Sequence, residues 1–176
     1  MTRQTVSRQT DSQSKDATHR PVRFLPAGTG PVYRGPADRI RFLITGDETG
    51  GDFFLAEVIV SPGGGTRPHV HSREEEPFRV LQGTLTVRVG GETVTASPGD
   101  VVYLPRGVVH CFQNAGTTDA KFLLLVTPAG LEKFFEEGFL PASDDSEARP
   151  DFDEAMRARL FAAAQSHGIE LTAALS

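Results

Sequence analysis

Residues 63–83 decide the fold, and they read Gly63-Gly-Gly-Thr-Arg-Pro-His69-Val-His71-Ser-Arg-Glu-Glu-Glu76-Pro-Phe-Arg-Val-Leu-Gln-Gly83. His69 and His71 are separated by one residue. Because successive side chains of a β-strand point to opposite faces, both imidazoles project to the same side. Glu76 opens a second strand-like segment, in which it shares a face with Phe78. The stretch therefore predicts two imidazoles and one carboxylate side by side, as around a single metal ion.

A second stretch supplies a third imidazole. Residues 99–114 read Gly99-Asp-Val-Val-Tyr-Leu-Pro105-Arg-Gly107-Val-Val-His110-Cys-Phe-Gln-Asn114. The same alternation puts His110 and Phe112 on one face and Cys111 on the other. Three imidazoles and a carboxylate suit Fe, Mn, Co, Ni, Cu or Zn, and are not the oxygen-rich ligand set of Ca or Mg. The choice among the six transition metals stays open.

The clustering of histidines carries more weight than the His-x-His pair, since such a pair alone is more often two solvated side chains. The chain has five histidines, and three of them fall in the two stretches. We interpret the other two, His19 and His167, as solvated or helix-capping residues. We interpret Cys111, the single cysteine, as a small buried apolar side chain.

Short apolar segments surround both stretches and indicate a β-rich fold. They cover residues 40–44, 53–60, 78–81, 85–89, 93–96, 101–104, 108–112 and 122–126, each of strand length. Gly90-Gly91, between two alternating segments, predicts a two-residue hairpin. Residues 1–20 have almost nothing apolar to bury and are predicted to be a disordered tail, followed by a barrel over residues 21–128.

Residues 129–176 are predicted to be a helical extension of the barrel. Apolar residues take helical spacing there, at Leu131, Phe134 and Phe135, and again at Phe152, Met156, Leu160 and Ala163. Asp151 and Glu154 resemble a capping box at the start of the second helix, and Gly168 suits the position just past its end. The predicted fold class is all-β with two C-terminal helices.

The composition excludes several classes of partner. The formal net charge is -5 at pH 7 and no basic patch stands out, so neither nucleic acid nor an anionic membrane is expected. No apolar run approaches the roughly 20 residues that span a bilayer. One cysteine cannot form an internal disulfide, and the polar N-terminus lacks the apolar core of a signal peptide. The expected location is the cytoplasm.

Both stretches resemble the sequence motifs of the cupin superfamily. The first is similar to G-x5-H-x-H-x(3,4)-E-x6-G and the second to G-x5-P-x-G-x2-H-x3-N, with every defined position matched. Only Glu76 has the six-residue spacing to Gly83, so it is preferred to Glu74 and Glu75 as the carboxylate ligand. The resemblance covers residues 40–128, and residues 127–135 are similar to single-domain cupins grouped with quercetin 2,3-dioxygenase.

The resemblance implies a cupin double-stranded β-helix, which is a jelly-roll-like barrel. It implies one divalent transition metal ion inside, held by His69, His71, Glu76 and His110. It also implies an oxidoreductase of the dioxygenase type that acts on a small aromatic or polyketide-like substrate chelated to the metal, with Glu76 as ligand and general base. The candidate substrate pocket is an apolar wall of Phe54, Phe78, Val80, Val87, Tyr103, Phe112 and Phe122.

Other functions remain open on the sequence. The metal would be only a Lewis acid in a cyclase, isomerase or lyase that acts on a small enolisable metabolite. It would be structural in a non-catalytic module that binds a small molecule. Metal-free sugar epimerases also use this barrel, but they lack the ligand set that is intact here. The family resemblance further implies a homodimer, formed through the outer face of residues 122–126 and the C-terminal helices.

Overall fold

The computed structural model describes residues 22–144 and 146–172. The strands are β1 (Val32–Arg34), β2 (Asp38–Ile44), β3 (Phe54–Val60), β4 (His69–His71), β5 (Glu76–Gln82), β6 (Leu85–Val89), β7 (Glu92–Ala96), β8 (Val101–Leu104), β9 (His110–Gln113), β10 (Ala120–Val126), β11 (Leu140–Ala142) and β12 (Ile169–Leu171). The helices are α1 (Gly46–Thr49), α2 (Glu132–Gly138) and α3 (Glu154–Ser166). The predicted tail at residues 1–20 lies outside the described residues.

Two antiparallel sheets form the barrel, and the core lies between them. The larger sheet has the order β11-β1-β2-β3-β10-β5-β8, and the smaller one β12-β4-β9-β6-β7. Strict alternation of buried and partly buried residues along β3 and β10 gives the larger sheet one apolar inner face. The expected all-β barrel with two C-terminal helices is confirmed.

Two turns depend on glycine. At the β6–β7 hairpin, Val89 pairs with Glu92 around Gly90-Gly91, as predicted, and Gly90 has φ of 56°. Gly83 follows β5 with φ of 72°, and a Cβ there would lie 2.8 Å from the Cα of Ala120. Only glycine tolerates both conditions at residue 83, so this glycine fixes where β5 leaves the larger sheet.

The C-terminal region is helical in part and also adds a strand to each sheet. Helices α2 and α3 are present as predicted, whereas β11 pairs with β1 and β12 pairs with β4 in regions that were predicted to be helical only. The capping box assigned to Asp151 is wrong, since Asp153 is the N-cap and its carboxylate accepts from the Met156 amide at 2.8 Å. Gly168 follows α3 in the left-handed conformation, as expected. None of the described helices has the length and apolarity to cross a membrane.

Candidate metal centre

Three strands bring the predicted ligands to one point in the barrel. His69 and His71 are the two ends of β4, Glu76 begins β5, and His110 begins β9. His69 and His110 are direct partners in the antiparallel register of β4 and β9. All four side chains are buried, with exposed fractions of 8% for His69, 3% for His71, 7% for Glu76 and 1% for His110.

The donor atoms face each other. One oxygen of Glu76, Oε2, lies 3.2 Å from Nε2 of His110 and 3.3 Å from Nε2 of His71. One donor atom from each of the four residues lies within 4.8 Å of all the others, the one such group found among the residues that the structure describes. A transition metal ion lies about 2.1 Å from each of its ligand atoms, so two neighbouring ligand atoms lie about 3 Å from each other. The distances from Oε2 of Glu76 to the two Nε2 atoms therefore suit a shared cation.

Backbone carbonyls orient two of the imidazoles. Nδ1 of His69 lies 2.7 Å from the carbonyl oxygen of Arg67, and Nδ1 of His110 lies 3.0 Å from that of Val108. A carbonyl oxygen only accepts, so each Nδ1 carries the hydrogen and each Nε2 keeps its lone pair. Both rings therefore direct the lone pair of Nε2 at the centre, and a metal ion binds an imidazole through such a lone pair.

Burial and mutual charge set the protonation states of the cluster. Burial, with His110 and His71 close by, lowers the pKa of His69 to about 4. Burial would raise the pKa of Glu76, but the neighbouring imidazoles, His71 first, outweigh it and hold that pKa below its ordinary value. For His71 burial would lower the pKa, and Glu76 followed by Glu74 raises it. At neutral pH the carboxylate is thus ionised and His69 neutral, which are the states that coordinate metals.

Six of the seven predicted pocket residues form packed interior rather than an open wall. Phe54, Phe78, Val80, Val87 and Phe122 are fully buried, and Phe112 is partly buried against them. The ring centroids of Phe78 and Phe122 are 4.7 Å apart, and those of Phe112 and Phe122 are 5.3 Å apart. Tyr103 differs, since it is half exposed and its hydroxyl donates to Oε2 of Glu75 at 2.8 Å.

An open groove lies elsewhere, between the edge strands β7 and β8. It has a volume of about 510 Å³ and is lined by Val89, Glu92, Val94, Thr95, Ala96, Asp100, Val101, Val102, Tyr103 and Pro105. Val89 is the register partner of His110, and the strand that carries Val102 pairs Leu104 with Glu76. The groove therefore adjoins the strands that carry two of the candidate ligands.

Two residues of the motif stretches, Glu74 and Asn114, were not assigned a role from the sequence. Glu74 is buried beside His71, although the charged stretch that contains it is typical of a surface loop. The amide of Asn114 donates to the carbonyl oxygens of Val60 and Thr118, both at 2.8 Å, and so closes the loop after β9. His167 caps α3 and lies 3.0 Å from Glu137, and Cys111, the residue after His110 on β9, is partly buried.

Comparisons with known proteins agree with this geometry. Residues 56–126, which contain all four ligands, match the family model described as "Cupin domain". The tetracenomycin polyketide synthase protein TcmJ of Streptomyces glaucescens is 28% identical over 75 residues, or 43% of this chain and 50% of that protein. Germin-like protein 5-1 of Oryza sativa subsp. japonica is 41% identical over 71 residues, or 38% of this chain and 32% of that protein.

A solved structure with the same architecture is that of KdgF from Halomonas sp.. It superposes with a TM-score of 0.56 at 21% identity, covering 64% of this chain and 97% of that one. This likeness shows the fold alone. The chain spans half or less of the length of the two curated relatives, so their activities are not transferred with the match.

Proposed function

Since the barrel is a cupin domain with three imidazoles and a carboxylate converging in its interior, we propose that the chain is a metal-dependent oxidoreductase of the dioxygenase type. His69, His71, Glu76 and His110 would hold one divalent transition metal ion. The substrate would be a small aromatic or polyketide-like molecule that binds through its oxygen atoms. The observation that carries the proposal is the buried convergence of the four donor atoms within 4.8 Å.

The donor set supports a transition metal. Two imidazoles already have their Nδ1 atoms occupied by backbone carbonyls, so their Nε2 atoms are available. Burying an ionised carboxylate costs several kcal/mol unless it is paired, and a cation between Glu76 and the imidazoles would offset that cost. When bound, such an ion supplies a Lewis acid that polarises substrate oxygens and lowers the pKa of a hydroxyl attached to it.

Glu76 is the group that we propose as general base. Its pKa lies below the ordinary value for a glutamate, so the carboxylate is ionised at neutral pH. Its Oε2 faces Nε2 of His71 and of His110, and His69 belongs to the same cluster of donor atoms. A substrate hydroxyl that reaches this point would lie within hydrogen-bond distance of a carboxylate oxygen that can take its proton. Phe78 follows Glu76 by two residues on β5, and Phe112 follows His110 by two on β9, so their packed rings continue the inner face on which the two ligands lie.

The groove between β7 and β8 is the route that we propose for the substrate. The residues that line it include the apolar Val89, Val94 and Val102 and the acidic Glu92 and Asp100. Such a groove suits a flat, mainly apolar molecule with a few oxygen atoms. Of the seven pocket residues predicted from the sequence, Tyr103 lines this groove, and the other six belong to the packed core of the barrel.

A second candidate is a cyclase, isomerase or lyase that uses no oxygen. The similarity to TcmJ, which is named as a polyketide synthase protein, favours a polyketide-like substrate for this chain. For such a substrate, proton removal by Glu76 at an enolisable position would be sufficient chemistry. The two candidates share the metal centre and the general base, and they differ in whether oxygen is consumed.

Elemental analysis followed by oxygen uptake tests the proposal. Protein purified without chelators should contain about one transition metal ion per chain, and Glu76→Gln should lose turnover more severely than metal. The metal-loaded protein is then assayed with flavonols, catechols and β-diketones in an oxygen electrode. Substrate loss with oxygen uptake supports the dioxygenase. Substrate loss without uptake, retained with Zn²⁺, supports the second candidate. Protein without a bound metal and without turnover would contradict both.

A further inference from the structure

The three imidazoles of the metal centre are not anchored alike. His69 and His110 each have Nδ1 on a backbone carbonyl oxygen, as described above. Nδ1 of His71 is buried and has no hydrogen-bond partner among the described residues. A buried imidazole nitrogen without a partner is costly, so an acceptor should be close.

The nearest candidate acceptor is Glu74. Its Oε2 lies 3.7 Å from Nδ1 of His71, and this oxygen also has no hydrogen-bond partner among the residues that the structure describes. The two side chains are among the most buried polar groups, with exposed fractions of 3% for His71 and 2% for Glu74. An unpaired donor and an unpaired acceptor thus face each other in the interior, just beyond hydrogen-bond distance.

The position of Glu74 does not follow from its other contacts. Oε1 lies 3.9 Å from Nε of Arg73, whose side chain is 59% exposed, and this weak surface pair does not offset the burial of a carboxylate. The next residue, Glu75, shows the contrast. Its carboxylate points outward, accepts from the hydroxyl of Tyr103 and lies 3.8 Å from Nη2 of Arg106. Of these two adjacent glutamates, Glu74 is directed toward Nδ1 of His71, the ring nitrogen that faces away from Glu76.

We propose that Glu74 is a positioning residue that accepts the Nδ1 hydrogen of His71 and so directs Nε2 of this ring at the metal. The inference rests on the proposed function, since Nε2 needs this direction only if a metal is bound. A carboxylate behind a ligating imidazole fixes its tautomer and its orientation, and also makes it a stronger donor. Backbone carbonyls do this for His69 and His110, and Glu74 would do it for His71.

Matched substitutions at the two glutamates test the role. Glu74→Gln keeps an acceptor and loses the charge, and Glu74→Leu loses both. Metal-stripped protein is titrated with Zn²⁺ against a chromophoric chelator. We expect about tenfold weaker binding for Glu74→Gln and up to about 100-fold for Glu74→Leu. Glu75→Gln and Glu75→Leu should stay within about twofold of the wild type.

A spectroscopic measurement separates positioning from a general loss of structure, and its wild-type part needs no variant to fold. In Zn²⁺-loaded wild-type protein, long-range ¹H–¹⁵N spectra should show all three imidazoles protonated on Nδ1. Glu74→Leu should shift or lose the Nδ1 hydrogen signal of His71 alone, whereas a merely structural effect would move all three. His71 protonated on Nε2 in the wild type would overturn the inference.

The outcomes also separate this inference from the proposed function. If wild-type protein binds Zn²⁺ tightly and both Glu74 variants match the Glu75 controls, the positioning role is overturned and the metal centre stands. If the wild type does not bind Zn²⁺, Co²⁺ or Mn²⁺, the proposed function and this inference fall together.

Discussion

Leu171 lies directly opposite His69 in the antiparallel register of β12 and β4, and Ile169 lies opposite His71. On its other side, β4 pairs with β9 through one residue pair, His69 with His110. The amide of Ser72 also donates to the carbonyl oxygen of Gly168 at 3.1 Å. The strand that carries two of the candidate ligands is therefore held in the sheet largely by the end of the described chain.

Ile169→Ala should loosen this strand. Ile169 is buried in the core, so its truncation should destabilise the protein by about 2–4 kcal/mol. If about 1 kcal/mol of that loss comes from weaker pairing of β12 with β4, metal binding must supply it, and the affinity for Zn²⁺ drops roughly fivefold. Chemical denaturation and chelator competition measure the two effects. Glu170→Ala, an exposed neighbour on the same strand, is the control and should change neither.

Part of the candidate site could be predicted from the sequence because its geometry is local. Alternation along β4 fixes the common side of His69 and His71, whereas the choice of Glu76 over Glu74 and Glu75 came from the resemblance to the first cupin motif. The role of β12 could not be predicted, because a three-residue strand at a sheet edge forms only through its partner β4. The burial of Glu74 was also hidden, since a run of charged residues normally indicates solvent exposure.

A buried carboxylate in the C-terminal region allows a second prediction. Oε1 of Glu132 accepts from the amide of Gly46 and Oε2 from the amide of Gly130, both at 2.8 Å. Glu132→Ala would leave the buried amide of Gly46 and the part-buried amide of Gly130 without an acceptor, so we expect a loss of about 2–4 kcal/mol in the free energy of unfolding. Glu136→Ala removes a partner of the half-exposed Lys133 and should cost less than about 0.5 kcal/mol. Equal effects would contradict the assignment.

Asp38 should make stability depend on pH. Burial raises the pKa of Asp38 to about 7, well above the roughly 3.9 of an unfolded chain. The folded state therefore favours the protonated carboxyl group of Asp38. The contribution of this group to the free energy of unfolding is complete below pH 4, and it is lost as the pH rises to about 7. Asp38→Asn should be neutral near pH 4 and stabilising by about 1–3 kcal/mol at pH 8. Urea denaturation across this range tests it, with the exposed Glu92→Gln as control.

Homodimer formation stays a prediction from the family resemblance. The outer face of the larger sheet is the surface at which it can be tested. Leu81, Val101 and Tyr103 are 43%, 67% and 53% exposed, and they share the outer face with the partly exposed Leu123 and Leu125 of β10. If this face is the interface, Leu81→Arg, which lies outside the groove lining, should shift sedimentation toward the monomer. Thr93→Arg on β7, in the other sheet, should leave the dimer intact. A wild-type monomer at all concentrations would contradict the prediction.

Metal binding should weaken as the pH falls, because protons and the metal compete for the same imidazoles. Glu76 and Glu74 raise the pKa of His71 above 6.5 against the effect of burial, so metal must displace a proton from this ring in mildly acidic solution. His69, with a pKa of about 4, stays neutral and adds no competition above pH 5. The dissociation constant for Zn²⁺ should therefore rise by at least about tenfold for each pH unit below the pKa of His71. His167→Gln, outside the centre, should keep the same slope, whereas an affinity that is flat from pH 5 to 8 would show that these imidazoles do not bind the metal.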